Sequence, residues 1–509
     1  MILFYCIILL IAGAIVSWIA GKWSPGAARI ISLLTVLTDL IATIFFIFIP
    51  EEKGTPWLIN MKAEWIKVFG INLNFSLDGL SLLLLLLTFF IGIIAIIISW
   101  KEIKFRVGFY QFNLLLTLAG ITGVFLSMDL FLFYFFWELM LIPMFFIIGI
   151  WGDKNRKKAA YKFFLFSQIG GLLMLISILS LYFIHGAQTG VYTFNFGQLT
   201  GTMMSPATAY LIMSGFLAAF FVKLPVIPLH NWLPDAYVSA PFSGTILLAA
   251  LLSKTAAYGL LRFIFPLFPD AALSFAPIGM ILGIIGILYG AKLAYAQTDL
   301  KRLVAYTSIS HMGFIVLGVF ALNHFAYQGV VIQMLAHGIT IAALFIIVWS
   351  LNTRLKTRNL DSLGGLWSNV PIIGSMGLVF AMASLGLPGM GNFIAEFLIL
   401  LGTFKANVVM ASIASVGLLA SAIYTLRMIQ RIFFGKKQVE RKIDDLSILE
   451  KSIFGALIIV ILWLGLYPNP ILDIASPAIN KSIIPLQSQS INSVNGSGLS
   501  SNKNIYFLH

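Results

Sequence analysis

Apolar runs of about twenty residues alternate with short polar breaks along the whole chain, the length at which one α-helix crosses the hydrocarbon core of a bilayer. Fourteen such runs are predicted, at 1–20, 27–49, 79–100, 109–127, 130–151, 161–184, 208–230, 243–264, 273–296, 302–322, 326–351, 373–402, 406–430 and 452–473. The pattern defines an all-α polytopic membrane protein of about 14 transmembrane helices. Residues 1–20 have the length of a signal peptide but no basic leader and no small-residue cleavage site, so they are read as a retained first helix. Residues 51–76 and 185–207 are the longer external loops, and the Ser/Asn-rich stretch 483–504 is expected to be disordered.

Two runs are interrupted. Around 221–234 the chain reads FVKLPVIPLHNWLP, with prolines at 225, 228 and 234, and around 386–392 it reads GLPGMGN. Proline withholds a donor and clashes with the carbonyl four residues back, so neither stretch continues as helix, and Pro225 frees the Phe221 carbonyl as a polar partner close to Lys223. Broken helices at membrane depth are tolerated where they face protein or water, and paired breaks point to a transport site. Leu224-Pro225 and Leu387-Pro388 lie 163 residues apart, and the runs starting near 109 and 273 are offset by almost the same amount. That offset covers five spans, an odd number, so a second copy would be inverted in the membrane. The division expected is 1–108 for helices one to three, 109–264 and 265–430 for two inverted five-helix repeats, 431–482 for a loop and the last helix, and 483–509 for the polar tail.

Composition agrees: 60% of the 509 residues are hydrophobic and 10% charged, against about 25% charged in soluble domains. The net charge of +13 does not signal nucleic acid, because its carriers sit in short loops where they set topology. Of 32 basic residues, 23 fall in one set of alternate loops and seven in the other, with Arg262 counted among the seven. The richer set marks the cytoplasm and places both termini outside. A single cysteine, Cys6, excludes a disulfide or a cysteine-based metal site within the chain.

Against this background six ionisable residues stand inside apolar runs: Glu138, Lys223, Lys254, His311, His337 and Glu396. A charge at bilayer depth costs at least about 2.5–3.5 kcal/mol, so such residues default to ion pathways and proton relays. All but Lys254, which is too deep to snorkel, also have a plainer reading. Glu138 is a protonated carboxyl bonded to a neighbouring helix, Lys223 a snorkelling lysine, either histidine a packed hydrogen-bonding residue, Glu396 a partner for Lys405 or a helix N-terminal charge. Six in six spans favour a hydrophilic axis. Asp78 and Asp129 precede apolar runs as N-caps do, His185 and His324 fall in or beside loops, and His230 and Asp235 either open a path to the cytoplasm or close a turn. No P-loop, GxGxxG, CxxC pair or HExxH is present, so whatever drives proton movement comes from outside the chain.

The segments FFWELMLIPMFF, FVKLPVIPLHNWLPDA, LLSKTAAYGLLRF, QTDLKRLVAYTSISHMGF, VIQMLAHG and GLPGMGNFIAEF resemble the antiporter-like subunits of proton-pumping NADH–quinone oxidoreductase, respiratory complex I, from about residue 70 to about 475. The resemblance implies fourteen helices with the seventh and twelfth broken, a first charge pair of Glu138 and Lys223, a central Lys254, and His311 and His337 linking Lys254 to Glu396. Within the family, branches L and N usually carry lysine at the twelfth-helix site, whereas branch M carries glutamate in a GNFxxEF context, which Gly391 to Phe397 match. The chain also ends soon after the last span, without the lateral helix of branch L. The resemblance further implies a bacterial inner membrane, neighbouring membrane subunits of the L and N branches, and FMN, iron–sulfur clusters, NADH and quinone held by partner subunits, none by this chain. A cation/proton antiporter and an energy-converting membrane hydrogenase are the alternative settings for the same fold.

Overall fold

The computed structural model describes residues 2–49, 57–436 and 443–481; the tail at 483–504 lies outside them. In chain order the helices are α1 (Ile2–Ala20), α2 (Pro25–Phe46), α3 (Gly79–Glu102), α4 (Val107–Leu126), α5 (Leu130–Trp151), α6 (Arg156–Thr189), the pieces α7a (Pro206–Lys223) and α7b (Trp232–Ser239), α8 (Phe242–Leu267), α9 (Pro269–Tyr295), α10 (Leu300–Phe320), α11 (His324–Leu355), the pieces α12a (Pro371–Ser384) and α12b (Gly391–Ala406), α13 (Val408–Phe433) and α14 (Ile448–Leu466). Thirteen of these are long and apolar enough to cross a membrane. The twelfth position is filled by α12a and α12b, each too short to do so alone.

α8, α10 and α11 are enclosed on all sides, whereas α1, α2, α6, α13 and α14 turn apolar faces outward. With lipid as the outer solvent, helices associate through close packing and polar contacts rather than the hydrophobic effect, and small residues make the closest approaches. α9 and α10 meet in this way. A Cβ at Gly313 would stand 2.6 Å from the Ile287 nitrogen and 2.7 Å from the Gly283 carbonyl. That closeness holds α10, which carries His311, against α9.

Both predicted N-caps form. Asp78 accepts from the Ser81 amide (3.0 Å), and Asp129 accepts from Phe131 and Leu132 (3.0 and 3.2 Å) and also from the Asn72 amide (3.1 Å). Both breaks form too. The Phe221 carbonyl, however, is not left for Lys223: it accepts the Val226 amide at 2.9 Å, and the Val222 carbonyl accepts the Trp232 indole N–H at 2.8 Å. In α12 the break turns on Gly386 and Gly389, at φ 81° and 93°, where a side chain would be strained.

Four expectations change. The external stretch before α3 contains a hairpin, β1 (Ile59–Ile66) with β2 (Ile71–Leu77), antiparallel with Ile59 opposite Leu77 and turning at Gly70. The alternation Ile71-x-Leu73-x-Phe75-x-Leu77 is a strand signal, and Phe75 and Leu77 are buried. α6 runs on to Thr189, which puts His185 inside a helix, bonded to Thr202 (3.0 Å). α14 stops at Leu466 before Pro468, and residues 469–481 start a separate helix that packs on Gly79. Arg262 belongs to no loop: it lies in α8, 4% exposed, paired with Asp78 at 2.5 Å. Removing one partner of such a pair leaves a buried charge, at a cost of about 3–5 kcal/mol. Arg262→Met is therefore expected to lower the amount of assembled protein, with Arg262→Met/Asp78→Asn recovering part of it on native gels. Equal loss in the single and double variants would count against the pairing.

Candidate functional site

Four of the six predicted residues form one connected row across the enclosed helices. Lys254, on α8, is wholly buried. Its Nζ donates to the Ala249 carbonyl (2.9 Å) and Ser253 Oγ (3.3 Å), and lies 2.7 Å from His337 Nδ1 on α11. A widened π-type turn at Leu248–Leu252 directly precedes it, a distortion that helices use at functional positions. An ammonium has no acceptor, so with Lys254 charged, His337 Nδ1 accepts and the imidazole proton sits on Nε2. That Nε2 is buried and makes no hydrogen bond. The His337 and His311 rings follow at 5.7 Å between centroids, tilted by 56°.

His311, on α10, completes the row. Its Nδ1 is 2.8 Å from Glu396 Oε1 on α12b, and its Nε2 is 3.2 Å from Ser384 Oγ at the end of α12a. Glu396 Oε1 also accepts from Gln333 Nε2 (3.3 Å), while Oε2 makes no hydrogen bond. Beside it Thr340 donates to Asn392 Oδ1 (2.8 Å), pinning α11 to the start of α12b. Lys405 instead lies over the Phe325 ring, 4.1 Å away. Because a histidine at each inner position can hold one proton and present the other nitrogen, the row has the chemistry of a proton relay between Lys254 and Glu396.

Glu138 and Lys223 are arranged differently. Lys223 ends α7a, 2% exposed, with its Nζ 3.3 Å from the Trp137 carbonyl and 3.9 Å from the Trp137 ring centroid. Glu138 is the next residue along, within electrostatic reach of Lys223 but not in direct contact; its carboxylate lies against α6 at Gly171 and Gln168, with Oε1 free of hydrogen bonds. The two therefore share Trp137 as a common support. The ammonium's cation–π and carbonyl contacts hold it in place without the carboxylate.

Of the ambiguous pair, Asp235 bonds Lys162 (2.7 Å) and Arg302 (3.3 Å), tying α7b to α6 and α10, while His230 faces the Tyr289 ring. The sequence reading also left out buried charges. Asp39, 1% exposed on α2 beside Cys6, stands in the run TVLTDLIATIF, a signal as legible as that of Glu138. Lys301 is wholly buried, donating to the Ala240 carbonyl (2.6 Å), and Glu102 caps α8 through the Phe242 and Ser243 amides (2.5 and 2.9 Å). Those two sit at helix ends next to other charges, where a single sequence reads as loop.

Residues 127–423 match the family described as NADH:quinone oxidoreductase/Mrp antiporter transmembrane proteins, and the chain belongs to that family. Two relatives are both called NADH-quinone oxidoreductase subunit M: that of Pseudomonas aeruginosa is 48% identical over 493 residues, 94% of this chain and 97% of its own length, and that of Escherichia coli K12 is 44% identical over 508 residues, 97% and 99%. Both names are those of the M branch, the one the resemblance implies. Among solved structures, a chain of respiratory complex I from Thermus thermophilus with bound NADH superposes with a TM-score of 0.86 at 27% identity, covering 96% of this chain and 100% of that one. A chain of the Mrp complex from Dietzia sp. gives 0.81 at 21% identity, covering 95% and 98%, a likeness of fold alone.

Proposed function

We propose that this chain is a proton-translocating membrane-arm subunit, of branch M, in a bacterial NADH–quinone oxidoreductase, and that protons travel along its midplane through Lys254, His337, His311 and Glu396. The observation that carries the reading is the row of buried titratable groups running from α8 to the broken α12: Lys254 Nζ to His337 Nδ1 at 2.7 Å, the two histidine ring centroids at 5.7 Å, and His311 Nδ1 to Glu396 Oε1 at 2.8 Å. Near full-length identity to relatives named subunit M favours this setting over an antiporter or a hydrogenase. NADH, FMN, iron–sulfur clusters and quinone then belong to partner subunits, with L- and N-type subunits beside this one in the inner membrane and both termini periplasmic. Residues 109–264 and 265–430 act as the two inverted repeats, each with its fourth helix broken.

In this mechanism a change in the electron-transferring partners reaches Glu138 and Lys223 electrostatically. When the carboxylate is close, Lys223 holds its proton; when it withdraws, burial favours the neutral amine. Moving one charge against 150 mV takes about 3.5 kcal/mol, roughly 2.5 pKa units, within what a low-dielectric charge pair delivers. Lys254 hands its proton to His337 Nδ1, and the Nε2 proton passes through water to His311 and on to Glu396, which exchanges with the external side.

The test is electrostatic. Glu138→Gln is expected to cut proton pumping and quinone reduction by about 10²-fold or more, because the neutral amide cannot supply a shift of about 2.5 pKa units, whereas Glu138→Asp keeps a substantial part. Lys223→Arg should fail like Lys223→Ala, because a guanidinium does not release its proton. Wild-type pumping by assembled Glu138→Gln or Lys223→Ala complexes would refute the coupling.

A further inference from the structure

α11 and α12b run antiparallel in a register that close contacts fix. A Cβ at Gly329 would stand 2.7 Å from the Ile399 nitrogen, and one at Gly391 would stand 3.1 Å from the Ala336 Cβ. Between those contacts Gln333 bonds Glu396 at 3.3 Å and Thr340 bonds Asn392 at 2.8 Å. His337 stands on α11 between the two bonds, one turn after Gln333 and one before Thr340, on the same face. Its bonded nitrogen, Nδ1, is turned to Lys254. All five side chains of this layer are at most 2% exposed.

Four polar atoms in the layer have no hydrogen-bond partner: Gln333 Oε1, His337 Nε2, Asn392 Nδ2 and Glu396 Oε2. Their chemistry is complementary. With Lys254 donating to Nδ1, the imidazole presents an N–H at Nε2, and the Asn392 amide supplies a second donor. A carboxylate oxygen only accepts, so Gln333 turns its NH2 to Glu396 and its free end is the carbonyl. Two donors and two acceptors therefore share one buried layer, and no direct contact satisfies any of them. Buried polar atoms are almost always paired, and a buried water makes about two to four bonds to groups of this kind. One water has two lone pairs and two hydrogens, the counterpart of this set. Glu396 adds a direction. Its Oε1 already takes His311 and Gln333, so Oε2 is the oxygen left to receive a proton.

We propose that Gln333 and Asn392 are positioning residues that hold an ordered water between His337 Nε2 and Glu396 Oε2, and that this water carries a proton from α11 to α12b without passing through His311. The inference rests on the function proposed above and gives the row a second branch at its Glu396 end. The water accepts from His337 Nε2 and Asn392 Nδ2 and donates to Gln333 Oε1 and Glu396 Oε2. In transfer, Lys254 gives a proton to His337 Nδ1, Nε2 gives its own to the water, and the water gives one to Glu396 Oε2. Lys254 ends neutral and Glu396 ends protonated. The imidazole stays neutral, its hydrogen moved from Nε2 to Nδ1, and the water is unchanged.

Two measurements on the assembled complex test this. A structure at a resolution that shows ordered solvent should place a water within about 3.2 Å of His337 Nε2, Glu396 Oε2 and at least one of the two amide ends. A direct bond from His337 to Glu396, or no solvent density between them, would overturn the proposal. The second measurement is proton pumping during NADH oxidation in vesicles, since two parallel branches fail only together. Asn392→Leu and His311→Leu should each slow pumping by about two- to threefold, and the double variant by about 10²-fold or more, the loss of a positioned relay. Residues that serve only packing give a double loss no larger than the product of the single losses, under about tenfold. Asn392→Ser, whose hydroxyl also donates to a water, should pump better than Asn392→Leu in the His311→Leu background; the reverse order would count against the water. Should Asn392→Leu not assemble, the solvent structure and Asn392→Ser with His311→Leu decide. A double loss no larger than that product, beside a failed Glu396→Gln, would discard the water branch and keep the midplane path, whereas normal pumping in Glu396→Gln would discard the path itself.

Discussion

Replacing Lys254 with alanine is expected to abolish proton translocation by the complex and to slow quinone reduction with it, while the membrane arm still assembles. The lysine links α8 to His337 Nδ1, at 2.7 Å. Its other contacts, to the Ala249 carbonyl and Ser253, lie within its own helix. Alanine removes the titrating group and leaves an apolar void of a few methylenes, which a bundle enclosed by α3, α10 and α11 tolerates. Loss of a positioned acid–base group slows its step by about 10²–10⁴-fold. Lys254→Arg should fail as well, since the guanidinium stays charged. His337→Ala should be milder, because a water in the vacated space bridges Lys254 toward His311. Fluorescent reporting of the proton gradient in vesicles, alongside NADH-driven quinone reduction, separates these outcomes. A Lys254→Ala complex that pumps at the wild-type proton-to-electron ratio would place the path elsewhere.

Glu396→Gln should be nearly as severe. The amide keeps the shape and can still accept from His311 and Gln333, whose contacts at 2.8 and 3.3 Å hold the side chain at the α12 break. What it loses is the negative charge and the ability to bind and release a proton. A fall of about 10²-fold or more in pumping is expected. Glu396→Lys should retain partial function, because lysine also titrates. The histidine contact then changes sign in its hydrogen bonding: an ammonium donates where the carboxylate accepted, and His311 Nδ1 has to present a lone pair. That switch predicts a shifted pH profile for Glu396→Lys rather than a uniform loss. Normal pumping by Glu396→Gln would show that the exit lies at another group.

How much of this was legible beforehand differs from residue to residue. The two helix breaks were plain, because proline and glycine act on the backbone locally, and no tertiary contact restores a missing amide or removes a ring clash. The same local logic gave Asp78 and Asp129 as caps. What replaced the broken hydrogen bonds was not legible. The Phe221 carbonyl accepts Val226 and the Val222 carbonyl accepts Trp232, so Lys223 turns instead to the carbonyl and ring of Trp137, from another helix. The hairpin before α3 leaves only a short alternation in the sequence, because each strand is 8 or 7 residues long and its pairing partner lies outside that local pattern.

Span number and the six intramembrane charges follow from the solvent: lipid penalises a polar group wherever it stands along the chain, so each shows by itself. Which of those charges touch is a matter of helix packing, and packing is set by residues far apart in sequence. Lys254 meets His337 across 83 positions and His311 meets Glu396 across 85, contacts no local pattern encodes. The same reason hid Arg262, whose partner Asp78 is brought to it by the fold, and Lys301, whose burial depends on the helices around it.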